Sequence, residues 1–218
     1  MALSRPIVLA SASPRRRQLL HDAGIAFTVC EPPYAEPALM PATVTPRHWA
    51  EALAYFKARS VAERARGHWV LGADTLVCCA GQVLGKPFDE ADARRMLELQ
   101  ARRPGDVITG VALVRVAVSG ESKPVCRRRI LSDVTRVWMY DAPELWARYL
   151  ASGQWRGKAG AYGIQEMGVE VGMDHESRPA SERALVERIE GSFSNVVGLP
   201  VERLGELLSW AKGSGEAW

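Results

Sequence analysis

The chain has 218 residues, 47% of them apolar and 24% charged, with a formal net charge of +3. That length suits one large domain or two small lobes with a real core, and the balance is that of an ordinary globular protein. No apolar run approaches the roughly 20 residues that span a membrane, and the N-terminal apolar stretch is too short for a secretory signal.

Cys30, Cys78, Cys79 and Cys126 show neither C-x-x-C pairing nor a disulfide-framework spacing, which points to a reducing, cytoplasmic setting. The arginines are bunched at Arg15–Arg17, Arg102–Arg103 and Arg127–Arg129. No aromatic interleaves them and no nucleic-acid-binding signature accompanies them, so nucleic acid is disfavoured and a small polyphosphate is the better-matched anion. For Arg127–Arg129 a solvated basic face is the simpler expectation.

In chain order, Ile7–Ala10 reads as a short buried strand. Ser13 is a good N-cap and Pro14 a good first helical residue, so a helix is expected over 14–23, with Leu19, Leu20 and Ala23 inward and Gly24 ending it. Its first turn is Arg15-Arg16-Arg17, the wrong sign for that end of the helix dipole unless an anion sits among the arginines. Strand, small-residue loop, helix start and arginines together describe an anion or phosphate cradle. It is not a Walker P-loop, because G-x-x-x-x-G-K-[ST] is absent.

Residues 25–29 read as a strand, followed by a proline-stiffened loop that carries Glu31 and Glu36. A helix over about 46–66 has a clear 3.6-residue period, with one row Trp49, Leu53, Lys57, Val61 and Ala65 beside another of Ala50, Ala54, Ala58 and Ala62. Lys57 interrupts the apolar stripe. It either snorkels to the surface or projects into a cleft to meet carboxylates or phosphate.

The central stretch, Trp69 to Phe88, holds a buried strand in which Gly72-Ala73 permits close approach to the backbone. Asp74 stands where another Val or Leu would be expected. After a turn at Ala80-Gly81-Gln82, a second strand leads to Lys86. A mid-strand carboxylate and a strand-end lysine are both unfavourable to bury unpaired. They form either a structural ion pair or a working site, with Asp74 holding a metal or activating water and Lys86 steadying an anion.

Asp89 caps a helix through about Ala101, with Ala93, Met96, Leu97 and Leu99 on its apolar side. Residues 107–118 and 125–140 read as an antiparallel ribbon, and a helix over 142–150 turns Leu145, Trp146, Tyr149 and Leu150 to one side. The glycine-rich stretch Ser152–Gln165 surrounds Lys158, Tyr162 and Gln165 and invites a ligand close to the backbone. Residues 173–183 read as an exposed excursion. A last helix covers 201 to about 212, before a tail, 213–218, expected to fray.

Three pieces taken together, LASASPRRRQLL, GADTLV…GKP and GKAGAYGIQ…GSFSNVVGLP, resemble the Maf family of nucleoside triphosphate pyrophosphatases. The resemblance runs in family order from about Ile7 to Leu208 and is specific as a set. It implies one Maf-like domain over 1–218. The implied fold is α/β and two-lobed, related to the inosine triphosphate pyrophosphatases, with a twisted mixed sheet and an active-site cleft between lobes.

The reaction it implies converts a nucleoside triphosphate to the monophosphate and pyrophosphate with a divalent cation, Mg²⁺ or Mn²⁺. By the same resemblance, Asp74 is the acid that accepts a proton from water and helps hold the metal, with Glu36 as a second ligand. Arg15, Thr75 and Gln165 fall at the substrate-choice positions and match the branch acting on dTTP and UTP rather than on 7-methyl-GTP. The polyphosphate is expected along the Ser11, Ser13 and Arg16 loop, with Lys57, Lys86 and Lys158 as further substrate contacts.

Departures from the family pattern fall at Ala35, where a second acid is usual, at Gly105, where histidine is common, and in a longer stretch over 167–183. A non-enzymatic nucleotide binder tied to cell division and septum formation is the rival reading. A homodimer would be common for such a domain.

Overall fold

The computed structural model describes residues 5–33, 40–117, 125–164 and 185–213. Among these a seven-stranded mixed sheet runs in the order β2-β1-β3-β5-β6-β7, with β4 also paired to β3. The strands are β1 (Ile7–Ala10), β2 (Phe27–Val29), β3 (Trp69–Cys79), β4 (Gln82–Leu84), β5 (Gly105–Ala117), β6 (Val125–Met139) and β7 (Val186–Glu190). The helices are α1 (Pro14–Asp22), α2 (Pro46–Ala62), α3 (Glu90–Arg102), α4 (Pro143–Ala151), α5 (Phe193–Val197) and α6 (Val201–Gly213).

Strand β1 pairs in parallel with both β2 and β3, whereas β3 with β4 and β6 with β7 are antiparallel. This is the mixed α/β fold the sequence implied. The chain divides into two compact units, one of residues 1–75, 109–133 and 198–218 and another of 76–108 and 134–197. Strands β3, β5 and β6 each give one stretch to each unit.

In the first unit the period-2 alternation of the strands sorts side chains onto two faces. Ile7 and Leu9 of β1, Trp69, Leu71 and Ala73 of β3 and Val111 and Leu113 of β5 pack with Leu20 of α1 and with Leu204, Leu207 and Ala211 of α6. The intervening residues, Val8, Ala10, Val70, Ala112, Val114 and Val116, pack against Ala54, Ala58, Val61 and Ala62 of α2. Helix α2 lies unusually close because its contact row is alanine and the sheet meets it with glycine. A Cβ on Gly72 would stand 2.7 Å from Ala58 N and 2.9 Å from Ala58 Cβ, and one on Gly110 would collide with the backbone of Ala50. The small pair Gly72-Ala73 thus serves the close approach expected of it.

In the second unit α3 buries Ala93, Met96, Leu97 and Gln100, and α4 buries the expected Leu145, Trp146, Tyr149 and Leu150. A single 3₁₀ turn, Ala159–Ala161, lies in the glycine-rich stretch. Gly160 has φ +66° there, and a Cβ would crowd Val77 at 3.0 Å. The side-chain amide of Gln100 donates to the carbonyls of Met96 at 3.0 Å and of Gly160 at 2.8 Å, which fixes this turn to α3. Asn195 is fully buried and its amide donates to Val107 O at 3.0 Å and Thr135 Oγ1 at 2.9 Å.

Several expectations need correction. Ala23 is exposed, because α1 is already ending at Asp22 and Gly24 turns the chain at φ +65°. Helix α2 stops at Ala62, four residues early, and Leu99 is only half-buried while its polar neighbour Gln100 takes the inward place. Lys86 is exposed beyond the end of β4, so it carries no burial penalty. Strand β7 was not foreseen. The excursion over 173–183 and the tail beyond 213 lie outside the described residues.

Candidate active site

The polar groups of the first unit fall into two clusters, one on each face of β3. Strand alternation sends consecutive residues to opposite sides, so Asp74 continues the Val70–Gly72 row toward α2, and Thr75 continues the Leu71–Ala73 row toward α1.

On the α2 face, Lys57 Nζ donates to Asp74 Oδ1 at 2.5 Å, with the two side chains only 13% and 6% exposed. The alanine row and the two glycines bring α2 near enough for a lysine on its flank to reach this carboxylate. Of the two fates open to Lys57, snorkelling or meeting a carboxylate, the structure takes the second. A carboxylate at this depth is tolerable only with such a counter-charge, since desolvating either ion alone is strongly unfavourable.

On the other face stands Arg16, only 9% exposed although it belongs to the first turn of a helix. Its guanidinium donates through Nε to the Gly198 carbonyl at 2.8 Å, through Nη1 to Ser11 Oγ at 3.3 Å and through Nη2 to Thr75 Oγ1 at 3.2 Å. All three acceptors are neutral oxygens, so the positive charge is held in place without being cancelled by them. Gly198 sits at φ +128°, a conformation that favours glycine, and a Cβ there would fall 3.5 Å from Thr75 Oγ1.

Thr75 Oγ1 also lies 3.0 Å from Oγ1 of Thr109, which is fully buried on β5. Ser13 caps α1, its Oγ accepting from Arg16 N at 3.5 Å, and Ser13 N donates to Ser11 Oγ at 3.2 Å. Arg15 is half-buried and Arg17 exposed at the same helix start. The positive end of the α1 dipole, with Arg15 and Arg17 beside it, forms a region suited to an anion.

The remaining expected residues are placed as follows. Lys158, in the second unit, is 6% exposed; its ammonium donates to the Gln154 carbonyl and lies 5.9 Å from the centre of the Tyr149 ring. Burial pushes the nearby Tyr162 phenol far above its usual value, with Tyr149 adding to the shift, so it stays a neutral hydroxyl. Lys86 is exposed in that unit. Glu36 and Gln165 lie outside the described residues. Among the described residues no group of three His, Cys, Asp or Glu side chains is gathered as a metal cluster, and no helix is long and apolar enough to cross a membrane.

Residues 6–211 match the family described as "Maf-like protein", nearly the whole chain. The chain belongs to the Maf family. Among relatives of this Maf chain, the dTTP/UTP pyrophosphatase of Geobacter sulfurreducens is 40% identical over 89% of this chain and 91% of its own. That of Moorella thermoacetica is 40% identical over 93% of each. A solved structure, the Ham1 protein of Staphylococcus aureus, aligns over 96% of this chain and 99% of its own at 13% identity, with a TM-score of 0.45.

Reading the Maf sequence residue by residue misses two members of the Arg16 cluster. Thr109 carries the same signal that exposed Asp74, a polar side chain inside an apolar strand run, here Val107-Ile108-Thr109-Gly110-Val111. Gly198 offers only its carbonyl, and nothing local marks a backbone oxygen as the partner of a residue 182 positions away.

Proposed function

We propose that this chain is a nucleoside triphosphate pyrophosphatase that hydrolyses dTTP and UTP to the monophosphate and pyrophosphate, with Asp74 as the proton acceptor. The observation that carries this reading is the buried Asp74–Lys57 pair at mid-strand, where packing alone would place an apolar residue. Membership in the Maf family and the substrates named for its relatives supply the reaction class.

In this reading Asp74 takes a proton from water as the water oxygen bonds to the α-phosphorus. The bridging oxygen between the α- and β-phosphates leaves with pyrophosphate. Lys57 holds the carboxylate in one orientation and serves as its counter-charge. The α1 start, with Ser13, Arg15 and Arg17, draws the polyphosphate, while Arg16 keeps Thr75 and the Gly198 backbone in register.

A divalent cation fits the donor set. Mg²⁺ is commonly held by one or two carboxylates plus substrate phosphates, and Asp74 supplies the first, with Glu36 proposed as the second. When bound, it neutralises the polyphosphate and polarises the phosphoryl group under attack.

The test is pyrophosphate release with Mg²⁺ from dTTP, UTP, CTP and 7-methyl-GTP, by the wild type and Asp74→Asn. Preferential turnover of dTTP and UTP, reduced by about 10²–10⁴-fold in the variant, is the expected result. Near-normal turnover by Asp74→Asn removes Asp74 from its role. Preference for 7-methyl-GTP overturns the substrate, and nucleotide binding without turnover overturns the reaction.

A further inference from the structure

We propose that Arg16 is a positioning residue for the polyphosphate and acts through Ser11: it fixes the Ser11 hydroxyl as a donor, and that donor meets a phosphate oxygen. This rests on the reading of the α1 start as the place where the polyphosphate lies. A hydroxyl has one proton to donate and two lone pairs to accept with, so alone it turns either one toward a ligand.

At Ser11 the sense is fixed. Ser13 N donates to Ser11 Oγ at 3.2 Å, and Arg16 Nη1 donates to it at 3.3 Å. A backbone N–H and a guanidinium carry no acceptor, so neither bond can reverse. Both lone pairs of Ser11 Oγ are filled, and its proton is directed away from the two nitrogens. Among the described residues nothing accepts that proton, although Ser11 is only 5% exposed.

A buried donor left unmet is unfavourable, and an ionised phosphate oxygen, which only accepts, is the partner it fits. The positive end of α1 with Arg15 and Arg17 supplies the charge that brings such an oxygen there. Arg16 supplies the geometry. Its Nε donates to the Gly198 carbonyl at 2.8 Å and its Nη2 to Thr75 Oγ1 at 3.2 Å, so the guanidinium is held at two further points while Nη1 orients Ser11. A lysine carries the same charge without the planar fork and cannot hold three separate oxygens in this way.

The experiment measures the Kd for inorganic tripolyphosphate by calorimetry with Mg²⁺ present, and KM and kcat for UTP. The proteins are the wild type, Ser11→Ala, Ser11→Thr, Arg16→Lys and the double variant Ser11→Ala with Arg16→Lys, with Tm measured for each. Losing a hydrogen bond to a charged group weakens binding by about 10- to 100-fold, so Ser11→Ala is expected to raise the tripolyphosphate Kd by that factor. UTP should follow in KM more than in kcat. Ser11→Thr, which keeps the hydroxyl, should bind as the wild type does. Arg16→Lys should raise Kd although the charge is kept, and should add little once Ser11 is alanine. An unchanged Kd in Ser11→Ala, wild-type binding by Arg16→Lys, or an Arg16→Lys loss of the same size with and without the Ser11 hydroxyl overturns the inference and leaves the pyrophosphatase standing. Tripolyphosphate binding that depends on Ser11 and Arg16 as stated, with no turnover of any nucleotide by the wild type, keeps the inference and overturns the pyrophosphatase.

Discussion

The two units each bury a polar network, and the networks are built differently. In the second unit, Asn195 and Gln100 turn their amides mainly onto backbone carbonyls, those of Val107, Met96 and Gly160. Such bonds fasten one segment to another and leave little chemistry over. In the first unit, the donors are a lysine and an arginine, and the acceptors include a carboxylate and three hydroxyl or carbonyl oxygens. A lysine meets a carboxylate there, whereas the buried Lys158 of the second unit donates to a backbone carbonyl. Burial of polar groups by itself therefore does not mark a site. An ion pair buried inside an apolar strand run is the stronger mark, because both charges lose their hydration where an apolar side chain would have packed without that penalty.

The contrast breaks first at Lys57. Lys57→Met leaves Asp74 as a buried charge without this partner, and about 3–5 kcal/mol of stability should be lost in urea unfolding, together with most of the turnover. Adding Asp74→Asn to that variant removes the stranded charge, so the double variant should recover part of the stability and none of the activity. A loss no greater than that of Asp74→Asn alone would show that the pair is not coupled.

Gly72→Ala probes the same site from behind. Its Cβ would meet Ala58 N at 2.7 Å and force α2 outward, an overpacking cost of about 1–3 kcal/mol. Because α2 carries Lys57, turnover should fall further than stability alone explains when both are measured at a temperature where the variant is folded.

In the other network, Asn195→Ala removes the amide that donates to the Val107 carbonyl and to the Thr135 hydroxyl, which keeps its bonds to Ser192. It should cost about 1–3 kcal/mol, yet leave KM for dTTP as in the wild type. A raised KM would erase the distinction between the two networks.

The smallest effect belongs to the surface. Hydrogen bonds from Arg129 and Arg203 hold the Glu206 carboxyl below its ordinary range. Its stabilising contribution is complete above the ordinary carboxylate range and is lost as pH falls through that lowered value. Glu206→Gln should slightly flatten the acid limb of a Tm-against-pH curve, by less than any of the changes above, since exposed pairs contribute little.

The sequence made the local features of this fold legible. The Ser13 cap with Pro14 behind it, the Asp89 cap of α3 and the inward side of α4 all depend on neighbours within a turn or two. Asp74 and Lys57 stood out because each breaks an apolar pattern, although their pairing across 17 residues did not follow from either break alone. Arg16 was harder to read. A cation at a helix start asks for an anion, and the oxygens it finds belong to Ser11, Thr75 and Gly198. Gln100 and Asn195 were missed for a related reason: an amide buried for the sake of distant carbonyls looks like any surface amide in one dimension. Of Arg127–Arg129, expected to form a solvated face, Arg128 is exposed but lies over the Tyr55 ring at 5.1 Å, and the half-buried Arg129 pairs with Glu206.

The bond between Arg16 and the Gly198 carbonyl joins positions 182 residues apart, and this sets a clock on biosynthesis. At about 5–20 residues per second, the ribosome needs on the order of 9–36 s to travel from one partner to the other. Throughout that interval the first unit has its β1–α1 segment but not the backbone oxygen that clamps its arginine. A nascent chain released before residue 198 forms much of the early local structure and still lacks this cluster, so the Arg16 clamp is among the last parts of the first unit to be completed.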